Sequence, residues 1–236
     1  MSGAAAEQGT IAIYEYYGTY TLDAPPPEMH PIVLQIPDAF RYGSSKGSVR
    51  NWGVNILTYY PSFSSPEDPT NARFGLDCAG ICNGRILISV ANRPHSLSLS
   101  GSPNMGDYVA RSLIKWELTP PYPPNIRVRA LGPAEGFDES FERVTMPIDR
   151  APGRNARVEH IYFRRAADKA HYDMAATCDV EEERTTCILH FSLLCIPAIY
   201  VSVHGLDISY LKTSQDIKER ADRFVSAMVK DPLCTR

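Results

Sequence analysis

Apolar and polar residues alternate along most of this chain, in short runs that Pro, Gly, Asn or Ser residues interrupt. Such runs, rich in Val, Ile, Tyr and Thr, are typical of β-strands that bury one face. They predict strands at 10–22, 31–36, 54–60, 85–90, 125–130, 143–148, 157–164, 171–178, 186–194 and 198–203. We therefore expect a mainly antiparallel β-sheet.

Near the C-terminus the apolar residues change to helical spacing. Thr213 or Ser214 can cap a helix there, and its apolar face is formed by Ile217, Ala221, Phe224, Val225 and Met228. This C-terminal amphipathic helix makes the predicted fold class α+β. A second segment fits a strand at 108–118, but it also fits a helix at 107–116 with Val109, Leu113 and Trp116 on one side, and its pattern leaves both interpretations open.

A proline-rich run at 120–124, Pro-Pro-Tyr-Pro-Pro, lies near the middle of the chain. Such a run favours extended backbone and is typical of a boundary or crossover. It would separate an N-terminal β-rich half, 1–120, from a C-terminal α+β half, 125–236. Each half contains a close cysteine pair followed by an apolar strand, which suggests two similar halves, and one continuous mixed sheet is the alternative.

Composition excludes several classes of protein. The chain has 236 residues, of which 44% are hydrophobic, so it is long enough to bury a core without a metal or a disulfide. No apolar run reaches the roughly 18 residues of a spanning helix, so we expect no transmembrane segment. A net charge of -3 argues against a dedicated nucleic-acid-binding protein, which needs a surplus of Lys and Arg on one face.

The six cysteines form two close pairs and a remainder: Cys78 and Cys82, Cys178 and Cys187, Cys195 and Cys234. Close pairs across turns predict disulfides, and a bridge between the last two would hold the C-terminal tail. Free thiols, or a zinc site that includes His190, are the alternatives. Disulfides indicate a bacterial envelope compartment, and the N-terminus lacks a secretory signal, so an export signal or anchor would have been removed.

Motifs for catalysis are weak. Gly43-Ser-Ser-Lys-Gly47 matches the turn that holds a hydrolase nucleophile, but no helix-like segment follows it. A Cys78 nucleophile with His190 as its base stays open, because such partners need only meet in space. We expect no catalytic residue, no cofactor and no metal. We expect the function to depend on binding surfaces instead.

Two segments are candidate partner-binding surfaces. Three like charges, Glu181, Glu182 and Glu183, stand at the predicted tip of a hairpin, where they could dock on a cationic patch or simply be solvated. The second candidate is an aromatic run that contributes Tyr59, Tyr60 and Phe63, residue types that dominate binding hot spots but also fill β cores.

A resemblance to a known family rests on the order of several features. These are Ile36-Pro37, Phe40-Arg-Tyr-Gly43, Tyr60-Pro-Ser-Phe63, Cys78-Ala-Gly-Ile-Cys-Asn-Gly-Arg85, and then the hairpin, apolar strand and closing helix. In this layout the chain resembles the periplasmic immunity proteins that neutralise type VI secretion lipase effectors.

The resemblance implies a periplasmic toxin inhibitor that acts through protein–protein interaction. The resemblance implies that it binds one cognate effector with one-to-one stoichiometry and occludes the active site of that effector. The competing hypotheses are an envelope hydrolase with a Cys or Ser nucleophile and a non-enzymatic envelope ligand-binding protein.

Overall fold

The computed structural model describes residues 10–13, 31–40, 53–64, 84–147, 155–181 and 184–234. Ten strands are present in this part of the chain: β1 (Thr10–Ile13), β2 (Ile32–Gln35), β3 (Gly53–Tyr59), β4 (Arg85–Asn92), β5 (Ile126–Ala130), β6 (Glu139–Thr145), β7 (Arg157–Arg165), β8 (Tyr172–Glu181), β9 (Arg184–Ser192) and β10 (Ile199–Asp207). The α-helices are α1 (Pro94–Ser100), α2 (Met105–Glu117) and α3 (Ser214–Ser226), and short 3₁₀ helices span Asp38–Phe40 and Ile208–Thr213.

One eight-stranded sheet organises the fold, in the order β3-β4-β10-β9-β8-β7-β6-β5. Every neighbouring pair in it is antiparallel. Strands from both sides of the proline-rich run share this sheet, because β4 pairs with β10. A separate antiparallel pair is formed by β1 and β2. The predicted α+β class, with a mainly antiparallel sheet and a C-terminal helix, is confirmed.

The first face of the sheet forms the main core. A row of directly paired apolar residues crosses six strands, and it consists of Ile56, Ile88, Val203, Leu189, Ala176 and Tyr162. Helix α3 packs on this face through Ile217, Ala221 and Val225, all fully buried. Burial of this helix follows from the spacing of its apolar residues, because only one stripe of α3 is apolar.

The second face has a smaller apolar cluster, under α2. Ala110 of the helix and Phe163 and Ala175 of the sheet are fully buried there, with Leu118 beside them. The segment that fitted both a strand and a helix is therefore a helix. Its start is set by Asn104, whose side-chain oxygen accepts a hydrogen bond from the backbone N–H of Asp107 at 2.9 Å.

Strand β6 differs from its prediction, because it spans Glu139–Thr145 and not 143–148. Its sequence contains few apolar residues, so the alternating pattern is hard to detect. Ion pairs replace the missing apolar contacts: Glu139 pairs with Arg165 of β7, and Arg143 pairs with Glu159 of the same strand. Cross-strand pairs of opposite charge support a sheet as apolar pairs do.

Among the described residues, no helix combines the length and the apolar character needed to cross a membrane.

Candidate functional site

Helix α2 is held on the sheet by a buried carboxylate. Asp107 is fully buried, accepts a hydrogen bond from the backbone N–H of Tyr172 at 3.0 Å and pairs with Nε of Arg111 at 2.6 Å. Close approach of the helix also requires Gly106, because a Cβ at that position would lie 2.6 Å from the carbonyl oxygen of Asp173. These contacts fix the position of α2 on β8.

The outer side of α2 faces α1 across an open groove of about 480 Å³. Both helices contribute to it, and its lining residues are Ser96, Leu99, Ser100, Tyr108, Arg111, Ser112, Lys115 and Trp116. Trp116 is 73% exposed and Leu99 is 76% exposed. Two large apolar side chains this exposed on one groove are typical of an interaction surface, whereas a single exposed apolar residue needs no explanation.

Positive charge accompanies these apolar groups. The ammonium nitrogen of Lys115 lies 4.6 Å from the ring centroid of Trp116, within the range of a cation–π contact. Arg111 also lines the groove, although its charge is partly balanced by Asp107 beneath it. Among the described residues that line the groove, none has a carboxylate. We refer to these eight residues as the α1–α2 groove.

A polar network lies on the second face of the sheet, on β8, β9 and β10, beside the apolar cluster under α2. Nε2 of His190 lies 3.2 Å from Oγ1 of Thr177, and its Nδ1 lies 2.6 Å from the hydroxyl of Tyr200. On β10, Oγ of Ser202 lies 2.9 Å from Nε2 of His204. The two histidines therefore have hydroxyl partners within the sheet.

Desolvation by burial, which is the larger cause, and the nearby His204 together lower the pKa of His190 to about 3. Burial also lowers the pKa of His204. Both imidazoles are therefore neutral near neutral pH. Neutral histidines that are hydrogen-bonded to hydroxyl groups in this way fix side-chain positions in the sheet.

The contact between Ser202 and His204 has the residue types of a hydrolase dyad. Ser202 is buried and lies in β10, a central strand that pairs with β4 on one side and β9 on the other. Backbone N–H groups around Ser202 are therefore committed to the sheet and poorly placed to stabilise an oxyanion, which hydrolase chemistry requires. The geometry favours a structural role for this contact.

Two of the predicted disulfides are confirmed. Cys178 and Cys187 are directly paired across β8 and β9, and Cys195 is bridged to Cys234 at the C-terminus. These four sulfur atoms therefore form two separate disulfides. The third predicted pair, Cys78 with Cys82, lies outside the described residues, and so does the Gly43-x-Ser-x-Gly47 motif.

Part of the predicted acidic tip is described, in the disulfide-bonded hairpin of β8 and β9. Glu181 is exposed and is the last residue of β8, opposite Arg184 of β9. Glu182 and Glu183 lie outside the described residues. Docking through this tip stays a prediction.

Aromatic residues of the second predicted surface make contacts within the protein. Phe63 is buried, with its ring centroid 5.4 Å from that of Phe224 in α3. The hydroxyl of Tyr60 donates to Oδ2 of Asp216 at 3.1 Å, and Tyr59 is half-buried at the end of β3. Partner binding by Tyr59, Tyr60 and Phe63 stays a prediction.

The α1–α2 groove was not among the sequence-predicted surfaces. Sequence spacing placed Trp116 on the same side as Leu113, but Leu113 packs on the apolar cluster under α2 and Trp116 is exposed. A signal was present: Tyr108, Ser112 and Trp116 recur at four-residue intervals and so share one side of a helix. This spacing identifies a surface only if the segment is a helix, and the segment also fitted a strand.

Comparisons of this chain with protein-family profiles, with curated proteins and with solved structures find no match. The fold and the groove define it as a disulfide-bonded α+β protein with a basic, aromatic surface groove.

Proposed function

We propose that this chain is an immunity protein of the bacterial periplasm, which binds one cognate antibacterial toxin and occludes its active site. The sequence resemblance supports a secreted lipase as that toxin. The observation that carries the proposal is the exposure of Trp116 and Leu99 together on the α1–α2 groove. Tryptophan is among the residues most enriched at the energetic centres of protein interfaces.

Rigidity of the groove also favours a binding role. Asp107 and Gly106 fix α2 on the sheet before any partner arrives. An inhibitor with a preformed surface loses less conformational entropy on binding, and this raises its affinity for the same contact area. An immunity protein gains from this, because it must bind an incoming toxin quickly and hold it.

Two confirmed disulfides suit an oxidising compartment, which supports the periplasm. Thiol titration of the unfolded, unreduced protein tests this part of the proposal. We expect essentially no free thiol, which would include the predicted bridge between Cys78 and Cys82. Two titratable thiols would show that the bridge between Cys78 and Cys82 is absent. Six titratable thiols would refute the argument for an oxidising compartment.

Neutralisation of a toxin is the direct test. The product of the reading frame adjacent to that of this chain is purified and mixed with increasing amounts of the protein, while its hydrolytic activity is measured. We expect activity to be lost at a one-to-one ratio. A neighbour that stays fully active and forms no complex in size-exclusion chromatography would refute the proposal.

The same assay tests the groove. Trp116→Ala should weaken binding by tenfold or more, the size expected for loss of about 1.4 kcal/mol at an interface hot spot. Leu194→Ala is the matched control, because Leu194 is 69% exposed but lies next to α3, on the other side of the sheet. Equal affinities of the two variants would exclude the α1–α2 groove from the interface.

A hydrolase is the alternative function, and the Ser202–His204 contact is the observation in its favour. Turnover of short-chain and long-chain esters by the purified protein would support it if Ser202→Ala abolished that turnover. The proposed immunity function expects no difference between the variant and the wild type in this measurement.

A further inference from the structure

We infer that the α1–α2 groove recognises an acidic segment of the partner protein that carries an apolar or aromatic anchor. This inference rests on the proposed function, because it names the chemistry of the partner at the same surface.

The charge of the groove is opposite in sign to that of the whole chain. The protein has a net charge of -3, whereas Arg111 and Lys115 are the charged side chains among the described residues that line the groove. Asp107 balances part of the charge of Arg111 from below but is itself fully buried. Lys115 therefore provides the larger share of the exposed positive charge, and it favours an acidic ligand.

The lysine is positioned before binding. Its ammonium nitrogen lies 4.6 Å from the centroid of the Trp116 ring, so the ring both contacts the cation and presents an apolar surface beside it. A carboxylate that pairs with Lys115 would bring an adjacent apolar side chain against Trp116. Acidic and apolar groups must therefore lie close together in the ligand.

The shape of the groove distinguishes a protein segment from a membrane surface. Leu99 of α1 and Trp116 of α2 line a concave space of about 480 Å³, which also includes the side chains of Ser96 and Ser112. Hydroxyl groups in a concave space can hydrogen-bond to a peptide backbone or to carboxylates. A bilayer instead favours an amphipathic helix that buries a continuous apolar face.

Peptide binding tests the inference without knowledge of the partner. One short peptide contains Asp and Glu on both sides of a central Phe, and a second peptide has Lys in place of every acidic residue. Vesicles of phosphatidylglycerol and phosphatidylethanolamine are the third probe. Binding is followed by the NMR signal of the Trp116 indole N–H, which Trp116→Phe distinguishes from that of the other tryptophan in the chain.

We expect the acidic peptide to shift the Trp116 signal and the basic peptide to leave it unchanged. Lys115→Glu should weaken binding of the acidic peptide about tenfold, because it places like charges together. Lys230→Glu makes the same change in net charge at an exposed residue that follows α3, and it should alter the affinity by no more than about twofold, since salt screens distant charges.

Several results would overturn the inference. They are equal binding of both peptides, binding of the acidic peptide that Lys115→Glu leaves unchanged, binding of neither peptide, and a Trp116 shift with vesicles alone. The neutralisation assay separates this failure from failure of the proposed function. If neutralisation requires Trp116 but is unaffected by Lys115→Glu, the acidic ligand is refuted and the proposed function is kept. If the acidic peptide binds but no toxin is neutralised, the proposed function is refuted and the acidic ligand is kept.

Discussion

His190 makes the stability of this protein depend on pH in a direction that the structure fixes. Both nitrogens of its ring have hydroxyl partners, Thr177 and Tyr200, and burial together with the nearby His204 lowers its pKa from 6.5 to about 3. A histidine in the unfolded chain binds a proton near pH 6.5, whereas the folded protein excludes that proton until far lower pH. Stability is therefore fully present above pH 6.5 and is lost as the pH falls from 6.5 towards 3.

The size of this effect can be worked out from the two pKa values. Below pH 6.5 a group with these values destabilises the fold by about 1.4 kcal/mol for each pH unit, which gives ~2 kcal/mol between pH 7 and pH 5. The result at pH 5 changes little for any folded-state pKa below about 4, because the folded-state ring is then mostly neutral at pH 5. His204, whose pKa is also lowered by burial, adds to the loss in the same direction.

Equilibrium unfolding in denaturant, with the disulfides intact, measures the effect at pH 7 and pH 5. The perturbation is His190→Gln, which removes the titratable group and keeps an amide in the network. We expect the wild type to lose ~2 kcal/mol more than this variant between the two pH values.

Thr177→Val is the matched control for that measurement. It removes the hydroxyl partner of His190 at 3.2 Å but leaves the imidazole, so it should lower stability and keep a dependence on pH close to that of the wild type. The reasoning is refuted if His190→Gln loses as much stability as the wild type when the pH falls.

Three further predictions concern the contacts that hold the fold, each measured by denaturant unfolding. Asp173→Ala should cost about 3 kcal/mol, because it removes the carboxylate that pairs with both Arg164 and the largely buried Lys218, and a loss below about 1 kcal/mol would contradict this. Cys195→Ser with Cys234→Ser should cost about 4 kcal/mol, the chain-entropy value for their separation of 39 residues, whereas unchanged stability would contradict it. Gly106→Ala should cost about 2 kcal/mol, because its Cβ would meet a backbone oxygen at 2.6 Å, and wild-type stability would show that α2 shifts freely.

Strands with strong alternation could be predicted from the sequence because each buries one face in an apolar cluster. The pattern at 186–194 corresponds to β9, where the side chains of Cys187, Leu189 and Phe191 are all buried on the first face. Cysteine spacing also predicted the hairpin bridge, since two residues at the ends of facing arms can be directly opposite each other. These are local properties, and local sequence determines them.

The proposed binding surface could not be predicted in the same way, because it depends on where α2 packs. Asp107 accepts a hydrogen bond from Tyr172, a residue 65 positions away in sequence, and this contact decides which side of α2 faces outwards. Until that side is known, Trp116 is equally well placed in a core or on a surface. The network around His190 is hidden for the same reason, since its members come from three strands.

Helix α2 thus links the stability of the fold to the proposed binding surface. Its inner side closes the apolar cluster through Ala110, and its outer side presents Lys115 and Trp116. The buried carboxylate of Asp107 is bonded to both β8 and Arg111, so it is the point at which the sheet fixes the groove. Changes at Asp107 should therefore reduce stability and partner affinity together, whereas changes at Lys115 should reduce affinity alone. That difference separates residues that hold the groove from residues that contact the partner.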